Sequence, residues 1–140
     1  MNERASEPYD LGSLEAVPDC RKYTYPPLER IEFRRAFGFT NPRQYVEVRL
    51  SLPKIALRTA NLFELTPKRY DAVKRELSAG WLYMPWVDVE RGRAILVDGR
   101  HRIVALMKLG ALTCLATAPI FNVGPILEAF GADVDGPYKT

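Results

Sequence analysis

Apolar and polar positions alternate along Tyr45-Val46-Glu47-Val48-Arg49-Leu50. That two-residue period, rich in β-branched side chains, predicts a half-buried strand, which Ser51, Leu52 and Pro53 should end. The period then changes. Tyr70, Val73 and Leu77 recur at helical spacing with Lys68, Arg69, Lys74, Arg75 and Glu76 between them, which predicts a helix. Thr66-Pro67 marks its start, a hydroxyl able to cap free backbone N–H groups followed by a proline where a missing donor costs nothing; Gly80 marks its end. Residues 81–89 read as a strand interrupted or entered at Pro85, and Glu90-Arg91-Gly92-Arg93 as a compact turn. Ala94-Ile95-Leu96-Val97 is a short unbroken apolar run of the kind found in buried strands, and Asp98-Gly99 stops it. Ile103, Leu106 and Met107 then follow helical spacing toward Gly110. Residues 111–118 look like a further strand ending at Pro119, and residues 125–130 like a short final helix before a Gly- and Asp-rich tail.

Upstream the pattern is less regular. Pro8, Pro18, Pro26 and Pro27 stand among acidic and small residues, so residues 1–27 read as an extended arm. Tyr9, Tyr23 and Tyr25 give that arm a reason to pack partly on the domain surface. Residues 28–39 fit neither a clean helix nor a clean strand. The chain thus reads as an N-terminal extension (1–41), an α/β (α+β) domain (42–122), and a short helix with a tail (123–140).

A length of 140 residues with 47% apolar and 11% aromatic side chains suffices for one continuous core, and 26% charged residues is an ordinary proportion. The net charge of +3 is too small to imply nucleic acid by itself. Its distribution adds something: Arg34, Arg35, Arg43, Arg49, Lys54 and Arg58 are opposed within residues 30–58 only by Glu32 and Glu47, a stretch able to create a local positive field or simply to form a solvated face. The two cysteines, Cys20 and Cys114, lack metal-ligand spacing and read as reduced thiols. With no long apolar run and no signal-peptide pattern at the start, the expectation is a cytoplasmic protein without a membrane partner.

The chemistry concentrates at Asp98-Gly99-Arg100-His101-Arg102, where a strand is predicted to turn into a helix. Such a junction gathers unpaired backbone N–H groups where the helix dipole favours an anion. Gly99 permits close approach, Arg100 and Arg102 offer planar forks matched to phosphate oxygens, and His101, the only histidine, adds a donor or proton-transfer group. Asp98 is able to accept a proton, to bind Mg²⁺ together with phosphate, or to orient a basic neighbour. Taken singly, each has a plainer reading as a cap, a turn residue or a solvated charge.

Over residues 45–120 the chain resembles the ParB/sulfiredoxin superfamily. The resemblance runs through Leu50-Ser51-Leu52-Pro53-Lys54-Ile55, the helix ending at Gly80, Pro85-Trp86-Val87, Ile95-Leu96-Val97-Asp98-Gly99-Arg100-His101-Arg102 and the helix to Leu109-Gly110. It implies a small mixed sheet flanked by helices, and nucleotide phosphates held by Gly99, His101 and Arg102. Sulfiredoxins read Gly-Gly-Cys-His-Arg; Arg100 stands in the cysteine's place, which removes that activity, and Cys114 reads as core packing. Partition proteins carry consecutive arginines, hydrolyse CTP as a clamp on DNA and need a helix-turn-helix beyond this domain. Only about twenty of the 140 residues follow Ile120, so a complete partition protein is not expected. Free-serine kinases read Asp-Gly-His-His-Arg, which is matched at Asp98, Gly99, His101 and Arg102.

By that last resemblance the turn holds ATP or ADP while a carboxylate from the N-terminal half activates the acceptor; Glu47 and Glu64 are the candidates, each also readable as a surface carboxylate. Small plasmid and toxin proteins of this fold include ATPases and DNases. For a DNA-directed reading, Arg49, Lys54 and Arg58 supply a basic patch, Phe39 or Tyr45 stack on bases, and Asp88 and Glu90 are the nearest acidic pair. The leading expectation is therefore an ATP- or CTP-binding domain, working with Mg²⁺, that hydrolyses or transfers phosphate through Asp98, His101 and Arg102. The alternatives are a nuclease or nucleotide-switched DNA binder, and a non-catalytic inhibitor presenting Trp81-Leu82-Tyr83-Met84 to a protein.

Overall fold

A computed structural model describes residues 11–17 and 23–132. Five helices, α1 (Leu11–Ala16), α2 (Leu52–Arg58), α3 (Pro67–Ser78), α4 (Arg100–Lys108) and α5 (Val123–Phe130), accompany six strands, β1 (Glu32–Arg34), β2 (Tyr45–Ser51), β3 (Trp81–Tyr83), β4 (Trp86–Glu90), β5 (Arg93–Asp98) and β6 (Thr113–Pro119). The four-stranded sheet has the order β2-β6-β4-β5, and a separate parallel pair joins β1 to β3. In the larger sheet β2 runs antiparallel to β6, β6 parallel to β4, and β4 antiparallel to β5. The fold is mixed α+β, as the alternating periods predict.

Burial explains the arrangement. Leu50, Leu52, Ile55, Leu77, Leu82, Val87, Ile103, Leu106, Ile126 and Phe130 are enclosed in one core. α5 crosses β2, β4, β5 and β6, while α3 and α4 pack on each other. Ile103 through Met107 are all buried, so α4 is enclosed on every side rather than along one stripe. That burial fixes where its N-terminus points and thus places the turn before it.

Four expectations need correction. Ser51-Leu52-Pro53 does not merely end a strand: the Ser51 hydroxyl accepts the Lys54 N–H at 3.2 Å and caps α2, with the proline in its first turn. The extended arm contains α1, set between Pro8 and Pro18; Pro8 and Pro18 themselves, with Tyr9, Cys20 and residues 133–140 of the Gly- and Asp-rich tail, lie outside the described residues. The run 94–97 is an edge strand, not an interior one, with Val97 40% exposed, because β5 has β4 as its sole neighbour in the sheet order. Residues 81–84 are half core: Leu82 and Met84 are buried, while Trp81 packs edge-to-face on Tyr83 at 5.0 Å beneath the Arg34 guanidinium.

The irregular segment 28–39 resolves into a single 3-10 turn, Leu28–Arg30, and β1. The arm packs on the domain as expected. Val17 is buried, Lys108 Nζ donates to the Leu14 carbonyl at 3.3 Å, and the Tyr23 hydroxyl donates to Asp71 at 3.1 Å. Among the described residues no helix is long and apolar enough to cross a membrane.

Candidate phosphate-binding turn

β5 ends where Asp98 pairs with Trp86 of β4, next to a register shift between Trp86 and Val87. The chain must then reverse over Pro85 to enter α4, and Gly99 is the residue that permits it. Its φ is +111°, and a Cβ built there would lie 3.0 Å from both Cα and Cβ of Pro85 and 3.4 Å from Arg102 Nη1. A side chain is excluded by conformation and by contact together. The Gly99 carbonyl accepts the Ile103 N–H at 2.9 Å, so the helix starts at once. Gly99 offers no side-chain cap to the N–H groups that a first turn leaves without intrahelical partners. Those groups and the helix dipole point out of the turn.

The three basic side chains of the turn have different fates. Arg100 Nε donates to the Glu64 carbonyl at 2.7 Å, and Arg102 Nη1 approaches the Met84 carbonyl at 3.4 Å. His101 is only 8% exposed, and its Nε2 accepts the backbone N–H of Thr66 at 2.9 Å. That bond fixes the neutral tautomer with its proton on Nδ1. Burial, reinforced by the charges of Arg100, Arg69 and Arg102 and opposed by Asp98, holds its pKa below the usual histidine value. His101 is therefore first a clasp between α4 and the start of α3. The Thr66 hydroxyl forms no cap bond; the role foreseen for it is replaced by the bond from its backbone N–H to His101.

Two depressions flank the turn. The larger, about 370 Å³, is lined by Arg69, Ala72, Val73 and Glu76 of α3 together with Asp98, Gly99, His101 and Arg102. The smaller, about 90 Å³, adds Thr59, Asn61, Leu96, Val97 and Arg100 to Arg69, Asp98, Gly99 and His101. Three guanidinium groups thus meet two carboxylates around an uncapped helix start. Arg69 and Glu76 are functional candidates that the helical period of residues 68–77 does not single out. Their spacing from Ala72 and Val73, at positions 69, 72, 73 and 76, places all four on one side of α3 and was the available signal.

The other candidates lie elsewhere. Glu47 is on β2, at the opposite edge of the sheet from β5, and pairs with Arg35 at 3.8 Å. Glu64 enters the site only through its carbonyl, and its side chain is exposed. Arg49 donates to the Thr113 hydroxyl at 3.2 Å, Lys54 to the Gly131 carbonyl at 2.8 Å, and Arg34 pairs with Glu32 at 2.8 Å, so the basic stretch is locally engaged, with Arg58 exposed at the end of α2. Phe39 packs on Tyr45 and Trp86, both at 4.9 Å. Asp88 accepts from the Asn122 amide at 2.9 Å and from the Val89 N–H at 2.7 Å. Cys114 is a free thiol, fully buried, with its pKa pushed up to about 12 by that burial, which suits packing and not nucleophilic chemistry. Among the described residues no three His, Cys, Asp or Glu side chains gather as a metal site. No family model matches the chain, and neither the curated proteins nor the solved structures give a match.

Proposed function

We propose that the protein binds a nucleotide through its phosphates at the turn from Asp98 to Arg102 and hydrolyses or transfers the terminal phosphoryl group. The observation that carries this reading is the conjunction at Gly99: a left-handed residue pressed against Pro85 opens an uncapped helix start into a cleft bordered by Arg69, Arg100 and Arg102. Backbone N–H groups, a helix dipole and guanidinium forks are together what a phosphate chain needs. The resemblance of the turn to the ParB/sulfiredoxin superfamily, and to its free-serine-kinase branch in particular, supports the same ligand.

In such a site the protein contributes positioning and fixed positive charge, which stabilise the charge on a phosphoryl group in transfer. Arg69 and Arg102 face the larger cleft and are the residues placed to do so. His101 keeps α3 and α4 in register, leaving its Nδ1–H as the remaining donor. Mg²⁺ arrives on nucleotide phosphates and commonly takes only one or two protein carboxylates; Asp98, which lines both depressions, is the group that would hold it, and the ion would neutralise phosphate charge. The DNA-directed alternative leans on residues 30–58, whose basic side chains line neither depression at the turn.

A thermal-shift titration with ATP, ADP, CTP and GTP, with and without Mg²⁺, tests the proposal on the wild type and on Arg102→Ala. A ligand bound only by the native state raises the melting temperature once its concentration passes the dissociation constant. Stabilisation by at least one nucleotide, lost in Arg102→Ala, is the expected result. Absence of a shift with every nucleotide contradicts it.

A further inference from the structure

Glu76 is the side chain in the cleft whose chemistry phosphate binding leaves unused. Its Oε2 is shielded from solvent and has no hydrogen-bond partner among the described residues. Burial raises the carboxyl's pKa, with Arg102 acting against the rise. The Arg102 guanidinium is meanwhile turned toward the Met84 carbonyl. An acceptor oxygen buried without a donor is costly, and the cost is removed when a ligand brings one.

The charges around it narrow the donor. A second phosphate is repelled by the carboxylate itself, and a ligand cation is disfavoured beside Arg69 and Arg102. A neutral hydroxyl meets neither objection. Position narrows it further. Arg69, in the first turn of α3, lines both depressions beside the phosphate-binding turn, whereas Glu76 lines only the larger one. Seven residues of helix separate them, about 10 Å along the axis, so the two ends of the cleft are placed to meet different parts of one ligand.

We propose that Glu76 reads the organic half of the ligand: its Oε2 accepts a hydrogen bond from a sugar hydroxyl, so the cleft selects ribonucleotides over bare phosphate chains and over nucleotides lacking those hydroxyls. The inference rests on the phosphate-binding reading above and deepens it. Glu76 is a specificity residue here, and no proton transfer is assigned to it.

Calorimetric titration of the full chain with ATP, 2′,3′-dideoxy-ATP and inorganic tripolyphosphate tests it, with Glu76→Ala and Glu76→Gln as variants whose melting curves verify the fold. The wild type should bind ATP about tenfold or more tighter than the dideoxy analogue, the range of one hydrogen bond to a charged group. In Glu76→Ala that ratio should fall to near one, with tripolyphosphate bound as tightly as by the wild type or tighter. Glu76→Gln, which keeps an acceptor oxygen without the charge, should retain part of the preference. Tripolyphosphate binding with no wild-type preference for ATP, or a preference that survives in Glu76→Ala, overturns the assignment of Glu76 and leaves the phosphate site standing. Failure of all three probes to bind overturns both.

Discussion

Two regions of this chain gather positive charge, and the fold disposes it differently in each. Residues 30–58 spread theirs over β1, a loop, β2 and α2, and spend much of it internally: Arg34 on Glu32, Arg35 on Glu47, Arg49 on Thr113, Lys54 on Gly131. At the turn after β5, Arg100 and Arg102 also bond internally, to the Glu64 and Met84 carbonyls, but they are joined by Arg69 from a different helix, and all three border hollows that meet at Gly99. Charge counted along a sequence predicts little about a field. What matters is whether separate elements bring charges to one concave point and leave them able to face a ligand.

The largest test of that contrast is a pair of double variants. Arg69→Ala with Arg102→Ala should weaken nucleotide binding about a hundredfold or more, since each guanidinium–phosphate bond is worth roughly 1.5–3 kcal/mol. Arg43→Ala with Arg58→Ala, which removes exposed charge from the other region, should change affinity by no more than about threefold at moderate salt. Equal losses from the two pairs, measured by calorimetry, would erase the distinction.

Next in size is the backbone of the turn. Gly99 and Gly110 both have left-handed φ, +111° and +86°, but a Cβ at Gly110 meets nothing within 4 Å whereas one at Gly99 strikes Pro85. Gly110→Ala should cost about 1–2 kcal/mol from conformation alone, and Gly99→Ala about 2–4 kcal/mol from conformation plus crowding. Urea unfolding midpoints at unchanged slope would measure both. Equal losses would mean that the turn is not wedged against Pro85.

Smaller still is a pH effect. The folded pKa of His101 lies below its ordinary value, so between the two the unfolded chain binds more protons than the folded one. The stability from neutral His101 is thus complete above about pH 6.5 and is lost as pH falls through the lowered folded value. Glu76 acts with the opposite sign, since its raised pKa makes the folded chain take up a proton first on acidification. His101→Gln retains an acceptor for the Thr66 N–H without a titrating ring, and its melting temperature should fall less than that of the wild type between pH 7.5 and 5.5, about the interval over which a histidine titrates. Identical slopes would remove the clasp.

The smallest effect is at Cys114, which should stay unreactive toward a thiol reagent in a Cys20→Ser background until the chain unfolds. Rapid labelling of the native protein would contradict the packing described for β6.

The sequence was most legible where one local rule acted without competition. The α3 and α4 periods, the Gly80 and Gly110 stops, and the two-residue turn at Arg91-Gly92, where both φ values are positive, follow from periodicity and glycine chemistry. It was least legible where a partner distant in sequence decides. Alternation through Leu50 hid the helix after Ser51, because one hydroxyl serves both as strand end and helix cap. The unbroken apolar run at residues 94–97 concealed an edge strand, since the place of β5 at the end of the sheet order and its contacts with α2 and α5 are tertiary facts. At the candidate site the five turn residues could be singled out from the sequence, but Arg69 and Glu76 could not be attached to them until α3 was docked. The use of His101 Nε2 depended likewise on Thr66, 35 residues away.

An amide-resolved NMR titration of the ¹⁵N-labelled protein with ATP and Mg²⁺ tests the central claim most directly. The account predicts the largest shifts at the backbone N–H groups of Gly99, Arg100, His101 and Arg102, with Arg69 following and Arg34, Arg43 and Arg58 unmoved. Shifts centred on residues 30–58, or none at saturating nucleotide, would contradict it.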